Sequence, residues 1–452
     1  MDYKYKRWLA LSLTLLIFLT VFVPFTAEAR LKSSWSRNYG GDFHDIAHEV
    51  LVTEDEGYLL AGYSNSFGPE RRYQMWVVKT NSNGYTEWRR DIGGEYSDRA
   101  YAADNTEDGG FVLAGSTTSY GGRDNEDFYL VNIDGEGDVE WENNFGGDHD
   151  EIAYDVIQTS DGGYLIGGST VTFGHRGRDW WIVRADEEGE EIWSRYYGGD
   201  QDEMISSVVE TEEGNFVLGG STASYGDPGF GFWSIEIDEE KIDEEKEEDP
   251  ETGKEGVELE EEAIVWETNV GGFLDDKVHD MVLTQDGGFA AAGETRSYTE
   301  LGTNFWLIKL DSEGTEQWNE SYGGEFEEVA YSLIQTREGN FMMTGYETTY
   351  GGVQEDIFVV ETDEEGEELF RYDTGGERTD IAYSIVEVDE DSFAVAGKTR
   401  SFGGGGFSFY LVKLGRPTGF FNLRMVGYAA VGIITAYVGI KVYKKYRYRF
   451  GY

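Results

Sequence analysis

The chain has 452 residues, no cysteine, 61 glycines, 5 prolines and a formal net charge of -53. The lack of cysteine excludes disulfides and thiolate metal sites. A surface this acidic repels nucleic acid and attracts cations, and the many glycines with 15 % aromatic residues fit a turn-dense all-β protein.

At the N-terminus, Lys4, Lys6 and Arg7 precede an apolar run from Leu9 to Val23, and Ala27-Glu28-Ala29 matches a small-residue cleavage site. Residues 1–29 therefore read as a signal peptide, with an uncleaved anchor as the alternative. The segment from Arg30 to Gly41 then supplies the last strand of a unit whose first three strands do not precede it.

From there one pattern returns seven times. It opens on Trp35, Trp88, Trp141, Trp193, Trp266, Trp318 and Phe370, at spacings of 53, 53, 52, 73, 52 and 52. A Gly-Gly pair follows each opener, as in Gly40-Gly41 and Gly146-Gly147. An aromatic recurs 40 or 41 residues on: Trp76, Tyr129, Trp181, Trp233, Trp306, Phe358 and Tyr410. A period near 50 signals a propeller, a solenoid or an array. In the third unit, Ala153–Thr159, Tyr164–Thr170, Asp179–Asp186 and Glu191–Tyr197 read as strands. The turn Asp161-Gly162-Gly163 separates the first two, with glycine supplying positive φ. No 3.6-residue apolar period is long enough for a crossover helix. The expected fold is all-β, a seven-bladed β-propeller of four-stranded antiparallel blades over residues 30–415. The surplus strand at the start supplies the strand missing at the end, so the ring closes without an open edge.

In the fourth blade an insertion over 239–262 lengthens the period. The stretch from Asp238 to Glu262 holds 15 acidic and 3 basic residues, which predicts a disordered, inert loop. Beyond a linker at 416–424, residues 425–443 form an apolar segment long enough to span a bilayer. Lys444, Lys445, Arg447 and Arg449 in the tail 444–452 place that end in the cytoplasm. The expectation is a single-pass cell-membrane protein with the propeller outside and the C-terminus inside, in a composition that suits an archaeal cell surface.

Ten residues after each opener lies an acid: Asp45, Asp98, Glu151, Glu203, Asp276, Glu328 and Asp380. In a propeller these approach the central channel on one face, and they are the candidate binding residues. No cofactor is called for; calcium is the cation such a ring of carboxylates suits. The alternative is that each acid accepts hydrogen bonds from turn amides and locks neighbouring blades. The five histidines form no spaced ligand set, no catalytic residue stands out, and Asn319-Glu320-Ser321 is a lone glycosylation sequon.

The motifs W-x-x-x-Y-G-G, D-x-A and D-G-G-Y-x-L-A-G resemble the secreted β-propeller repeats of archaeal and bacterial surface proteins, over residues 35–414. A looser similarity is to quinoprotein-type propellers, in Ala185-Asp186-Glu187-Glu188-Gly189 followed by Trp193. The threonine of that pattern and an adjacent cysteine pair are missing, so no quinone cofactor is expected and the tryptophans read as inter-blade packing. The functional expectation is a membrane-anchored extracellular binding or scaffold module for a protein, glycan or cation, with no nucleic-acid partner. The alternative is an extracellular hydrolase or lyase with acids in the funnel.

Overall fold

The computed structural model describes residues 31–121, 125–226, 229–242, 256–299, 301–348 and 354–416. The expected signal peptide, the membrane span, the basic tail, most of the linker and the centre of the acidic insertion lie outside them. Among the described residues no helix is long and apolar enough to cross a membrane.

Among the described residues, twenty-eight strands form seven antiparallel sheets of four. In six sheets four consecutive strands meander from the axis outward. The seventh is ordered β1 (Lys32–Tyr39), β28 (Ser408–Gly415), β27 (Ser392–Thr399), β26 (Asp380–Asp389). Lys32 pairs with Gly415 and Tyr39 with Phe409, so the first strand of the chain completes the last blade. The first strand of each blade contacts those of both neighbours, which closes a seven-bladed β-propeller. All Asp-Gly-Gly turns lie on one face together with Lys32 and Gly415, where the chain enters and leaves the ring. The Gly-Gly loops lie on the opposite face.

The repeat markers are packing devices. Each third-strand aromatic is buried, and Trp76, Trp181, Trp233 and Phe358 meet an aromatic of a neighbouring blade, as in Trp233 against Trp180 with centroids 4.1 Å apart. The opening tryptophans sit across blade junctions, as expected. Trp88 covers Gly137 in the outer turn of the next blade, where φ is +82 and a Cβ would stand 2.7 Å from the indole. The same contact joins Trp35 to Gly84, Trp141 to Gly189, Trp266 to Gly314 and Trp318 to Gly366.

Blade 4 departs from this rule at the two flanks of the expected disordered insertion, whose centre lies outside the described residues. The insertion replaces the turn that would cover Trp193. Its two flanks return to the ring: Ile242, Leu259 and Ala263 are buried in one core cluster with Trp193. The Trp193 indole donates to Glu239 Oε1 at 3.1 Å. Arg184 and Arg195, both fully buried, are neutralised by Glu239 at 3.0 Å and Glu260 at 3.1 Å. Two apolar residues and two acids with buried guanidinium partners give this stretch the core its composition seemed to deny it.

Candidate functional site

The seven acids begin the seven inner strands, but they do not form a funnel. Six are 0 % exposed and Glu328 is 4 % exposed. Six accept the amide of the second glycine of the preceding Gly-Gly pair at 2.7–2.8 Å, and Glu328 accepts that of Gly324. In six of them the second oxygen takes a hydroxyl from the end of the next strand, as Glu151 does from Thr170 at 2.9 Å and Asp276 from Thr295 at 2.6 Å; in the sixth blade Glu347 stands in that place and Glu328 Oε2 is buried without a partner among the described residues. A Cβ at Gly93 (φ +137) would lie 2.2 Å from an Asp98 oxygen, so the glycine is required by the lock. None of the seven lines the axial cavity, and among the described residues no three His, Asp or Glu side chains converge to hold a metal. At six of the seven positions the expected cation ring thus meets carboxylates already engaged on both oxygens by turn amides and hydroxyls.

The axis is lined by other residues, three and four places further along. Every inner strand carries a β-bulge at the same point: between Ala47 and Glu49, Ala100 and Ala102, Ala153 and Asp155, Ile205 and Ser207, Val278 and Asp280, Ala330 and Ser332, Ala382 and Ser384. A bulge leaves one residue unpaired and re-aims its side chain. Here that residue is His48, Tyr101, Tyr154, Ser206, His279, Tyr331 and Tyr383, and all seven line a cavity of ≈ 300 Å³ on the axis. Six rings form an arc: Tyr154 to Tyr101 at 5.9 Å, Tyr101 to His48 at 5.2 Å, His48 to Tyr383 at 4.8 Å, Tyr383 to Tyr331 at 5.0 Å, Tyr331 to His279 at 5.1 Å. The arc is interrupted at blade 4, where Ser206 stands in place of a ring.

Beneath the rings, five of the seven blade junctions are stitched. Asp155 accepts the Val208 amide at 2.8 Å and Asp280 the Leu333 amide at 2.7 Å. Ser332 and Ser384 accept those of Ile385 and Val50, and the Ser207 hydroxyl donates to Met281 O. Burial raises Glu49 to about 8 and Asp155 and Asp280 to about 7. Burial, helped by the Lys398 ammonium, holds His48 at about 3. His48 is thus a neutral imidazole at neutral pH, and its Nε2 is buried without a hydrogen-bond partner. The hydroxyls of Tyr101 and Tyr331 also lack a partner among the described residues. The cavity therefore offers unsatisfied hydrogen-bonding groups on aromatic edges, with two neutral or partly protonated tiers around it.

Sequence reasoning passed over these residues, though a signal existed. The position after D-x-A is aromatic or imidazole in six units and serine in one. The sequon asparagine lies inside the outer strand Glu316–Tyr322. Asn319 Nδ2 donates to Glu316 at 2.6 Å and its Oδ1 accepts from Trp306 Nε1 at 3.1 Å, so the glycan-accepting nitrogen is engaged within the fold.

No family model matches the chain, and no curated protein matches it. Solved structures similar to it include a protein of unknown function from Dyadobacter fermentans, 12 % identical, covering 86 % of this chain and 99 % of that one with a TM-score of 0.46. Polysaccharide lyase Uly1 is 11 % identical, covering 84 % and 93 %, at 0.47. Sqt1 from Chaetomium thermophilum is 12 % identical, covering 83 % and 86 %, at 0.44.

Proposed function

We propose that the chain is a binding module anchored in the cell membrane, with its propeller outside the cell, and that its axial pocket takes a saccharide unit. The observation that carries this reading is the break in the arc of rings at Ser206. Repeat symmetry alone would place a seventh ring there; the serine instead leaves room in a cavity of ≈ 300 Å³, at the lower end of small-molecule sites. His48 stacks on Tyr383 and the other neighbouring rings meet tilted or edge-on, so a ligand meets ring edges and polar atoms as well as faces. The buried, unpaired His48 Nε2, with Tyr101 and Tyr331 lining the same cavity, suits a polyhydroxylated ligand better than an apolar one, because a buried polar group left unmatched is costly.

Binding is favoured over hydrolysis or elimination by the way the acids are used. The ring of seven and the tier of Asp155 and Asp280 hold backbone amides, which fixes them as structural acceptors rather than as a paired acid and base. The test is an array of neutral and acidic glycans probed with the full chain and with Ser206→Tyr. The wild type is expected to give signals that the variant loses while its melting temperature is unchanged. No signal from the wild type, or equal signals from both, contradicts the reading.

A further inference from the structure

Above the arc of rings the repeat is broken again, this time by positive charge. The second residue of the inner strand is apolar in five blades (Ile46, Ile152, Met204, Val329, Ile381) and cationic in two, Arg99 and Lys277. Lys398 stands where other blades carry tyrosine, serine or glutamate, and Arg178 where they carry an aromatic, an acid or threonine. In a chain of net charge -53, four bases are thus gathered at the mouth of the axial pocket. Arg99 is paired with Glu126, and Lys277 with Glu294 at 3.4 Å. The other two have no carboxylate partner among the described residues. Lys398 Nζ donates to the Tyr383 hydroxyl at 2.6 Å, and Arg178 Nη1 to Ser169 Oγ at 3.4 Å. Both are half-buried. The blades that carry them, the seventh and the third, lie across the axis from each other.

Glu355 acts on Lys398 without contacting it, and a half-buried cation with no carboxylate in contact is costly in any protein. We infer that the mouth recognises the carboxylate of an acidic sugar, with Lys398 and Arg178 as its counter-ions and the ring-lined cavity below holding the sugar hydroxyls. This rests on the reading of the axial pocket as a saccharide site and adds the charge of the ligand to it. The overall negative charge does not prevent such binding. At physiological salt exposed charges are screened beyond about 8 Å, whereas half-buried groups in contact are screened much less. Guanidinium and ammonium groups both form charge-assisted bonds to carboxylate, about twice as strong as neutral ones.

The carboxylate has two sources, a free uronate or the end of a polyuronate chain. The experiment is a calorimetric titration of the full chain with glucuronate, with galacturonate oligomers and with glucose. The wild type is expected to bind at least one uronate and to bind glucose at least about tenfold more weakly. Preference for the oligomers assigns a chain end; equal affinity per uronate assigns the free sugar. Lys398→Met and Arg178→Met are each expected to weaken uronate binding about tenfold and to leave glucose binding unchanged. Glucose binding as well as uronate, with Ser206→Tyr abolishing both, overturns the carboxylate assignment and leaves the pocket standing. Uronate binding that survives Ser206→Tyr overturns the pocket itself. Absence of uronate binding, or insensitivity to both methionine variants, overturns the inference.

Discussion

Arg195 and Glu260, 65 residues apart, form a buried pair with Nε 3.1 Å from Oε2 and Nη2 3.3 Å from Oε1. The guanidinium belongs to the outer strand of blade 3 and the carboxylate to the far flank of the acidic insertion. The insertion is thereby fastened to the blade it follows. Glu260→Ala is expected to lower stability by about 3–5 kcal/mol, because it removes the carboxylate paired with a buried positive charge. Arg195→Met with Glu260→Leu is expected to restore most of that loss, since an apolar pair needs no desolvation of charge. Urea unfolding of the three variants checks both; a Glu260→Ala variant as stable as the parent would show the flank to be loosely held.

The opening tryptophans give a test of the junctions. Gly137→Ala puts a Cβ into the Trp88 indole at a positive φ, and about 1–3 kcal/mol of stability should be lost. Gly162, with φ +91 and nothing within 4 Å of its Cβ position, provides the comparison. Gly162→Ala carries the backbone cost alone, and its melting temperature should fall less. Equal losses at the two sites would mean that the indole contact contributes nothing.

How much of this was legible beforehand follows from what leaves a mark in composition. The seven blades and the closure by the Trp35 strand were readable, because tryptophan, diglycine and the third-strand aromatic return in register. The ring of acids was readable as a position, and the acceptance of turn amides that the structure shows was one of the two roles the sequence offered. An acid ten residues past an opener fits a cation ring and a turn lock equally well, and only burial decides. The channel residues were hidden by the bulges: one extra residue at Tyr154 reverses the alternation of sides, and the mark it leaves in the sequence is the aromatic or imidazole recurring after D-x-A. The packed flanks were hidden by averaging. Ile242 and Leu259 are two apolar residues among many acids, and their partners Arg184 and Arg195 lie in another repeat.

Ring closure makes its own prediction. Deleting residues 32–39 removes the outermost strand of the last blade and exposes the edge of β28 to other chains. Size-exclusion chromatography should show oligomers and aggregates in place of the species the intact chain forms. An unchanged elution with an unchanged melting temperature would contradict closure by that strand.

The stitched tier predicts a pH dependence of unusual sign. Asp155 and Asp280 sit at about 7 and Glu49 at about 8 in the fold, against about 4 in an unfolded chain. Between those values the folded state holds more protons than the unfolded one, so stability falls as pH rises through the window. Melting temperatures should drop from pH 5 to pH 8.5. The double variant Asp155→Asn, Asp280→Asn, which cannot ionise at those positions, should show a shallower drop. Parallel curves for the two proteins would assign the dependence to the general acidity of the surface.

The axial pocket is tested most directly by a crystal structure of the full chain soaked with the glycan that gives its strongest array signal. The account predicts ligand density on the axis, beside Ser206 in the gap between Tyr154 and His279, within hydrogen-bonding distance of the Tyr101 or Tyr331 hydroxyl. Density on the rim with an empty axis, or an axis unchanged at saturating ligand, would contradict it.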